Sequence, residues 1–119
     1  MQQKYLRRLI IANAAFITSL HDDIVEITQD AKYYKGIGEI AFATAHYKLA
    51  NKTRAKLAKA VETQKALKAE MEHQHNMQRI TSVVNKLKAA GVNPLEALVI
   101  ATDNTKTLGE KLNGLRAML

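Results

Sequence analysis

Two overlapping Glu-x-x-His spacings, Glu70 with His73 and Glu72 with His75, are the residues of this chain best suited to binding a metal ion. Residues three apart lie on one face of a helix, so either pair could supply two ligands. Helical di-iron sites need this motif on two separate helices, together with two more inward-facing carboxylates. Both spacings fall on one predicted helix here. We therefore expect a solvated polar stretch, with no metal site and no cofactor.

Nucleophilic catalysis has equally little support. The chain contains no cysteine, which excludes disulfides, thiol catalysis and cysteine-ligated zinc. Ser19 and Ser82 do not lie in the Gly-rich turns that expose a nucleophilic serine. The segment Gly36-Ile37-Gly38 lacks the third glycine and the preceding strand of a dinucleotide-binding loop, and there is no Walker-type loop. We predict that the protein is not an enzyme.

Basic residues in the middle of the chain are the strongest candidates for a binding function. The formal net charge is +7, which is typical of a protein with an acidic partner. Four lysines, hereafter the cationic stripe, are spaced to share one helix face: Lys48, Lys52, Lys56 and Lys59. Three more basic residues flank the stripe: Arg54, Lys65 and Lys68.

A stripe of this kind can neutralise the phosphates of DNA or RNA, and such binding depends strongly on salt. Few side chains near it are suited to base edges, Asn51 and Arg54 being two, so we expect binding without sequence specificity. A solvated helix face is the alternative interpretation. Five of the 11 acidic residues lie between Asp22 and Glu39, so the charge pattern could also guide one copy onto another or onto an acidic protein.

The N-terminal third carries a heptad pattern, hereafter the N-terminal seam, whose members alternate four and three residues apart: Leu6, Ile10, Asn13, Ile17, Leu20, Ile24, Ile27, Ala31 and Tyr34. The pattern predicts a coiled coil or a bundle helix, with the residues from Leu6 to Ile27 as the oligomerisation surface. Asn13 is the one strongly polar member. Because a lone seam Asn costs stability but sets oligomeric state, we expect Asn13→Leu to raise thermal stability and change that state.

A targeting segment is disfavoured. Lys4, Arg7 and Arg8 precede an apolar stretch, as in a secretory signal, but the stretch continues as an amphipathic pattern. Its length of about 12 residues is short of the roughly 20 that span a bilayer. A membrane-surface helix is a weaker alternative, because the basic residues lie only at one end. The absence of cysteine fits a reducing compartment, and we expect a cytoplasmic protein.

The helix boundaries follow from glycine and proline. Gly36-Ile37-Gly38 predicts the end of a helix over 3–34. Residues 39–90 contain neither glycine nor proline, which predicts one long helix or a helix broken near 51–53 or 73–76. Gly91 is placed to end that helix, and Asn93 with Glu96 forms a predicted capping box for the next one, over 94–102.

A last helix is predicted over 105–118, after a turn at 103–105. It carries a leucine face made by Leu108, Leu112, Leu115 and Leu119. This face could complete the core or could dock a protein partner. Gly109 and Gly114 weaken the helix, so it requires a packing surface.

The segment from Lys86 to Leu98 resembles the central oligomerisation segment of bacterial H-NS-type nucleoid proteins, in which a long helix ends at a Gly-x-Asp-Pro turn. The resemblance covers 13 residues and implies a helix–turn–helix junction in a nucleoid-type oligomer. The aromatic, Gly-rich DNA-binding module of that family is absent from this sequence.

The expected fold is all-α, a single domain over residues 1–119 in which an elongated helical hairpin or coiled-coil bundle has a long central helix and two short C-terminal helices. The expected function is that of a non-enzymatic, oligomerising protein that binds a polyanion, nucleic acid first, through its basic helix. The alternative is an assembly, scaffold or adaptor protein, such as a phage component or an inhibitor of another protein, that acts through coiled-coil packing.

Overall fold

The computed structural model describes residues 2–119, and α-helix is the regular secondary structure found among them. Four helices are found within these residues, and they account for 86% of the chain. They are α1 (Gln3–Gly36), α2 (Ile40–Ala89), α3 (Pro94–Ala101) and α4 (Leu108–Ala117). The prediction of an all-α fold, with a helical hairpin, a long central helix and two short C-terminal helices, is confirmed.

The long central helix is unbroken. α2 has 50 residues, which corresponds to about 75 Å at 1.5 Å per residue. Neither break that the irregular apolar pattern allowed, near 51–53 or near 73–76, is present. The segment lacks glycine and proline, the two residues that most readily interrupt a helix. Local backbone preference is therefore enough to carry the helix through those polar stretches.

Contacts along the chain divide it into two compact units, Met1–Met71 and Glu72–Leu119, and α2 contributes to both. In the first unit, α1 and the first part of α2 form a helical hairpin. Three α1 residues of the N-terminal seam are buried: Leu6, Leu20 and Ala31. The buried apolar residues of α2 in this unit are Ala43, Ala50 and Ala60. Small side chains on one helix allow the larger ones of the other to approach its backbone closely.

Side-chain contacts fix the antiparallel register of this hairpin. Far from the turn, Asn13 of α1 donates hydrogen bonds to the Ala60 carbonyl and to the Gln64 side chain, both at 2.9 Å. Near the turn, the Tyr34 ring lies 5.5 Å from the Phe42 ring, centroid to centroid. The residue numbers on α1 rise as those on α2 fall, which is the signature of an antiparallel pair.

The turn of the hairpin is a glycine-terminated helix end. Gly38 has a φ of +82°, a conformation that is costly for any residue with a Cβ. The N–H of Glu39 donates to the Tyr34 carbonyl at 2.9 Å, and the N–H of Gly38 donates to the Lys35 carbonyl at 3.2 Å. This is the Schellman arrangement. Gly36 is still helical, so α1 ends two residues later than predicted, because Gly38 is the residue that takes the left-handed conformation.

The second unit has a compact apolar core between the end of α2, α3 and α4. Its buried residues are Ile80, Val83, Leu87, Ala97, Leu112 and Leu115. Leu87 and Leu115 are 1% and 0% exposed, so each side chain is fully desolvated, which stabilises the unit by roughly 1.5–3 kcal/mol per side chain.

A second Schellman arrangement ends α2. Gly91 has a φ of +83°. The N–H of Val92 donates to the Leu87 carbonyl at 3.0 Å, and the N–H of Gly91 donates to the Lys88 carbonyl at 3.1 Å. Val92 then packs against the core that contains Leu87. This is the hydrophobic contact that commonly accompanies the motif.

The start of α3 follows the prediction in part. Pro94 occupies the first turn, and the Asn93 side chain caps the helix. The Asn93 side chain accepts its hydrogen bond from the backbone N–H of Leu95, at 2.9 Å. A capping box would instead require a bond from the N–H of Glu96. Proline fixes the backbone just after the cap and has no N–H of its own, and the cap reaches the N–H of the second helical residue rather than that of the third.

α4 begins at Leu108, three residues later than predicted. Asp103 Oδ1 accepts hydrogen bonds from the N–H and the hydroxyl of Thr105, at 3.0 and 2.6 Å. This Asx-turn holds the chain out of the helical conformation. Thr107 then caps α4, accepting a bond from the N–H of Glu110 at 3.2 Å. The local side-chain bonds of Asp103 outcompete an earlier helix start.

Candidate nucleic-acid interface

The cationic stripe lies on the outer side of α2 in the first unit. Its four lysines are all exposed. At 100° per residue, the stripe is centred about 120° around the helix axis from the buried face of Ala50, Thr53 and Ala60. Because that face packs toward α1, the lysines point away from the hairpin interface. The predicted grouping on one exposed helix face therefore agrees with the helix geometry.

None of the stripe lysines has an acidic partner within residues 2–119. The ion pairs of this part of the chain join Lys65 to Glu62 at 3.4 Å and Lys106 to Glu110 at 3.8 Å. Exposed ammonium groups without partners keep their charge available for a polyanion. Along the helix, the stripe extends about 16 Å, the axial length of about five base pairs.

Two of the three flanking basic residues already have side-chain partners. Arg54 donates a hydrogen bond to Asn51 Oδ1 at 2.9 Å. Lys65 forms the exposed pair with Glu62, a contact worth little in water. Lys68 is exposed. Asn51 and Arg54, the two side chains near the stripe that are suited to base edges, thus bond to each other, which favours binding to phosphates over contacts with bases.

The segment that carries the stripe is held by contacts on its inner side. The Thr53 hydroxyl is buried and donates to the Leu49 carbonyl at 2.9 Å. Ala50 and Ala60 are 0% and 5% exposed. The lysine side chains are exposed, but their Cα positions are set by a helix that is buried at Ala50, Thr53 and Ala60. Such a scaffold holds the spacing of the charges constant.

Acidic side chains of α1 lie on the same hairpin. The four acids between positions 22 and 30 are all exposed: Asp22, Asp23, Glu26 and Asp30. In the antiparallel register they are level with the first part of the stripe. At physiological salt, charges more than about 8 Å apart are largely screened from one another. The exposed surface of α1 between positions 22 and 30 is therefore acidic, whereas the cationic stripe on α2 is basic.

The N-terminal seam has a partner inside the chain. Leu6 and Leu20 are 0% and 5% exposed, and Ile10, Ile17, Ile24 and Ile27 are half-buried. The polar member, Asn13, bonds to α2 of the same chain. Heptad spacing predicted the inward face correctly, but it cannot distinguish a helix that packs within the chain from one that packs between chains. The structure gives no support to the seam as an oligomerisation surface.

The C-terminal leucine face completes the core of the second unit. Leu112 and Leu115 are buried, and Leu108 packs against the same core. Leu119 is 64% exposed. Of the two alternatives that the sequence left open, the core role is therefore the one that the three α4 leucines fulfil.

A second cationic surface, which the spacing of lysines along the sequence does not reveal, lies in the second unit. Arg79, Lys86 and Arg116 line one cleft of the second unit. The spacing of seven residues between Arg79 and Lys86 is visible in the sequence, but the contribution of Arg116 depends on the packing of α4.

Within residues 2–119, no three His, Cys, Asp or Glu side chains lie close enough together to bind a metal ion. None of the helices in that range has an apolar stretch long enough to cross a bilayer.

Comparison with known proteins gives no relationship from which function could be transferred. No protein-family model, curated protein or solved structure matches this chain.

Proposed function

We propose that this chain is a non-enzymatic helical protein that binds the phosphate backbone of nucleic acid through the cationic stripe on α2. The observation that carries the proposal is the exposure of four unpaired lysines on the outer face of one continuous helix. The net charge of +7 adds a long-range attraction for any polyanion.

The stripe supports binding without sequence specificity. A protein that releases counterions at four phosphates loses affinity by about a hundredfold between roughly 50 and 200 mM salt. Arg54 and Asn51, which could contact base edges, bond to each other at 2.9 Å. We therefore expect similar affinities for duplexes of unrelated sequence, and a contact surface limited to the sugar-phosphate backbone.

The test is fluorescence anisotropy with a labelled duplex of about 20 base pairs at about 50 and 200 mM salt. The wild-type chain should bind at the lower salt and lose most of its affinity at the higher one. The variant with Lys48, Lys52, Lys56 and Lys59 all changed to Glu should bind far more weakly at both. Equal binding by this variant and the wild type would contradict the proposal.

The second candidate function is assembly through association with a second copy of the chain. The observation that favours it is an apolar patch on α3, where Leu95, Leu98 and Val99 are 69%, 54% and 70% exposed. Leu95 and Leu98 also border a groove of about 210 Å³ on the second unit. Exposed apolar residues that cluster on one short helix commonly mark a contact surface.

Light scattering over a range of concentrations tests this second candidate. Assembly through α3 predicts a mass above 13.2 kDa that falls to the monomer value when Leu95 and Val99 are both changed to Ser. Ile11 and Val25, which are also exposed, provide the matched control, because their double change to Ser should leave the mass unaltered. A monomeric wild type at tens of micromolar would exclude assembly through this patch.

A further inference from the structure

We infer that the second unit contains a binding site for a phosphate monoester, in the cleft between α2 and the end of α4. The cleft has a volume of about 330 Å³ and is lined by Arg79, Ser82, Val83, Lys86, Arg116 and Leu119. It shares no residue with the cationic stripe. The inference therefore does not rest on the proposed function.

The α2 side of the cleft is one helix face. Arg79, Ser82, Val83 and Lys86 follow one another at spacings of three, one and three residues, which brings all four onto adjoining turns. Val83 is 7% exposed and belongs to the core of the unit. Because Val83 is anchored in the core, the backbone positions of the neighbouring Arg79, Ser82 and Lys86 are fixed along the cleft.

The charge of the cleft is positive and unbalanced. Arg79, Lys86 and Arg116 take part in neither ion pair of residues 2–119, and no acidic residue lines the cleft. Lys86 and Arg116 lie in the last turns of their helices, where a cation also interacts favourably with the helix dipole. Arg79 is not in the last turn of a helix, so its charge does not have this interaction with a helix dipole. Three like charges around one concavity repel one another, and a bound anion converts that repulsion into attraction.

The chemistry of the lining selects the anion. A guanidinium group presents parallel N–H donors that match the oxygens of a phosphate, and the Ser82 hydroxyl adds a further donor. A phosphate monoester carries a charge of about −1.5 to −2 near neutral pH, which suits three cations better than the single charge of a diester. Val83 and Leu119 provide an apolar wall for the rest of the ligand.

The size of the cleft limits the ligand to a small group. Ligand sites range from about 300 to 1,000 Å³, so a cleft of about 330 Å³ fits a ligand comparable to a mononucleotide. The same monoester occurs on a free nucleotide and on a 5′-phosphorylated strand end. Both sources offer the same dianion to Arg79 and Arg116.

The experiment is calorimetric titration of the full chain with adenosine monophosphate, adenosine and glutarate. We expect the monophosphate to bind, adenosine not to bind, and glutarate, a dicarboxylate, to bind with much lower affinity than the monophosphate. Arg79→Gln and Arg116→Gln should each weaken monophosphate binding about tenfold, because each removes a charge-assisted hydrogen bond. Both residues are exposed, so folding should be retained, as circular dichroism would verify.

Lys88→Gln is the matched control, because Lys88 also lies in the last turn of α2 but lines a different groove. It should change the affinity less than twofold. Three results would overturn the inference: no binding of the monophosphate, an equal loss in the Lys88 variant, or equal affinity for glutarate. Comparing 5′-phosphorylated with unphosphorylated tetranucleotides, in the stripe variant described above, distinguishes the sources: a preference for the phosphorylated strand indicates a strand end, and equal binding indicates a free nucleotide.

Discussion

The side chains of Asn13 and Gln64 join α1 to α2 by a direct amide-to-amide hydrogen bond of 2.9 Å. Asn13 also donates to the Ala60 carbonyl at 2.9 Å, and Gln64 Nε2 donates to the Ile10 carbonyl at 3.1 Å. Gln64 is only 9% exposed, so water does not readily replace these bonds. The three bonds cross the hairpin interface in both directions and therefore specify one register.

Removing one partner of this amide pair should destabilise the hairpin, although the sequence alone predicted the opposite for Asn13→Leu. The single change leaves Gln64 Oε1 without its donor in a buried position, which costs about 1–3 kcal/mol. Changing both Asn13 and Gln64 to Leu should recover most of that loss, because no unpaired polar group is left.

Urea unfolding of the wild type, both single variants and the double variant completes the cycle. We expect an interaction energy of about 0.5–3 kcal/mol between the two sites. An Asn13→Leu single variant that is more stable than the wild type would show that the amide pair does not contribute as proposed.

Gly36 and Gly38 should respond in opposite directions to the same substitution. Gly36 is helical, and a Cβ there would meet no atom within 4 Å, so Gly36→Ala should stabilise the chain by about 0.5–1 kcal/mol. Gly38 has a φ of +82°, so Gly38→Ala should destabilise it by about 1–2 kcal/mol. Each variant is the control for the other in thermal unfolding, and a shift of the same sign in both would refute the assignment of the turn.

Asp103 should make stability depend on acid pH through its bonds to Thr105. The Thr105 hydroxyl and N–H both donate to the carboxylate and hold the pKa of Asp103 below its ordinary value of 3.8. Because the pKa is lowered in the folded state, the stabilisation is complete above pH 3.8 and is lost as the pH falls through the folded-state pKa.

Thr105→Val removes the hydroxyl bond while keeping the side-chain shape, so the pKa of Asp103 should rise toward its ordinary value. Carbon-detected NMR titration of the Asp103 carboxyl measures this directly. Thr102→Val is the matched control, because the Thr102 hydroxyl donates to the Leu98 carbonyl instead. An unchanged Asp103 titration in the Thr105 variant would mean that the hydroxyl bond is not formed in solution.

Local chemistry made the helix ends readable from the sequence, within limits. Gly91, Asn93 and Pro94 were placed correctly because each acts on its own few residues. The turn at Gly36 and Gly38 was harder, since two glycines were available and only one takes the left-handed conformation. The later start of α4 depends on the bonds that Asp103 accepts from Thr105, which compete with the helix and are not evident from residue type alone.

The surface that packs against the N-terminal seam could not be predicted from the sequence in the same way. The α2 face that packs against α1 carries Ala50, Thr53, Ala60 and Gln64, so it does not appear as an apolar stripe. Alanine is also common on exposed helix faces, and Thr and Gln are usually exposed, so these residue types do not indicate a buried face in the sequence. The bond between Asn13 and Gln64 spans 51 positions, a relationship that no local pattern encodes.

The cationic stripe was readable because surface charge needs no packing partner. Lysines at helical spacing share a face in any helix, and they are exposed here. The cleft formed by Arg79, Lys86 and Arg116 was not found, because two of its cations come from α2 and the third from α4. A site assembled from separate helices requires the tertiary structure.

The most direct test of nucleic-acid binding is the slope of the logarithm of the association constant against the logarithm of salt concentration. Four phosphate contacts predict a slope of about −3.6, and each lost contact should make it shallower by about 0.9. Two variants should be compared, each with four exposed lysines changed to Gln. One carries the changes at Lys48, Lys52, Lys56 and Lys59, and the other at Lys4, Lys32, Lys35 and Lys88.

Both variants lower the net charge of +7 by four, so they differ only in where the charge is removed. If the stripe contacts the phosphates, the first variant should lose nearly the whole slope and the second should keep most of it. Equal slopes in the two variants would show that binding follows overall charge, and would contradict a nucleic-acid interface on α2.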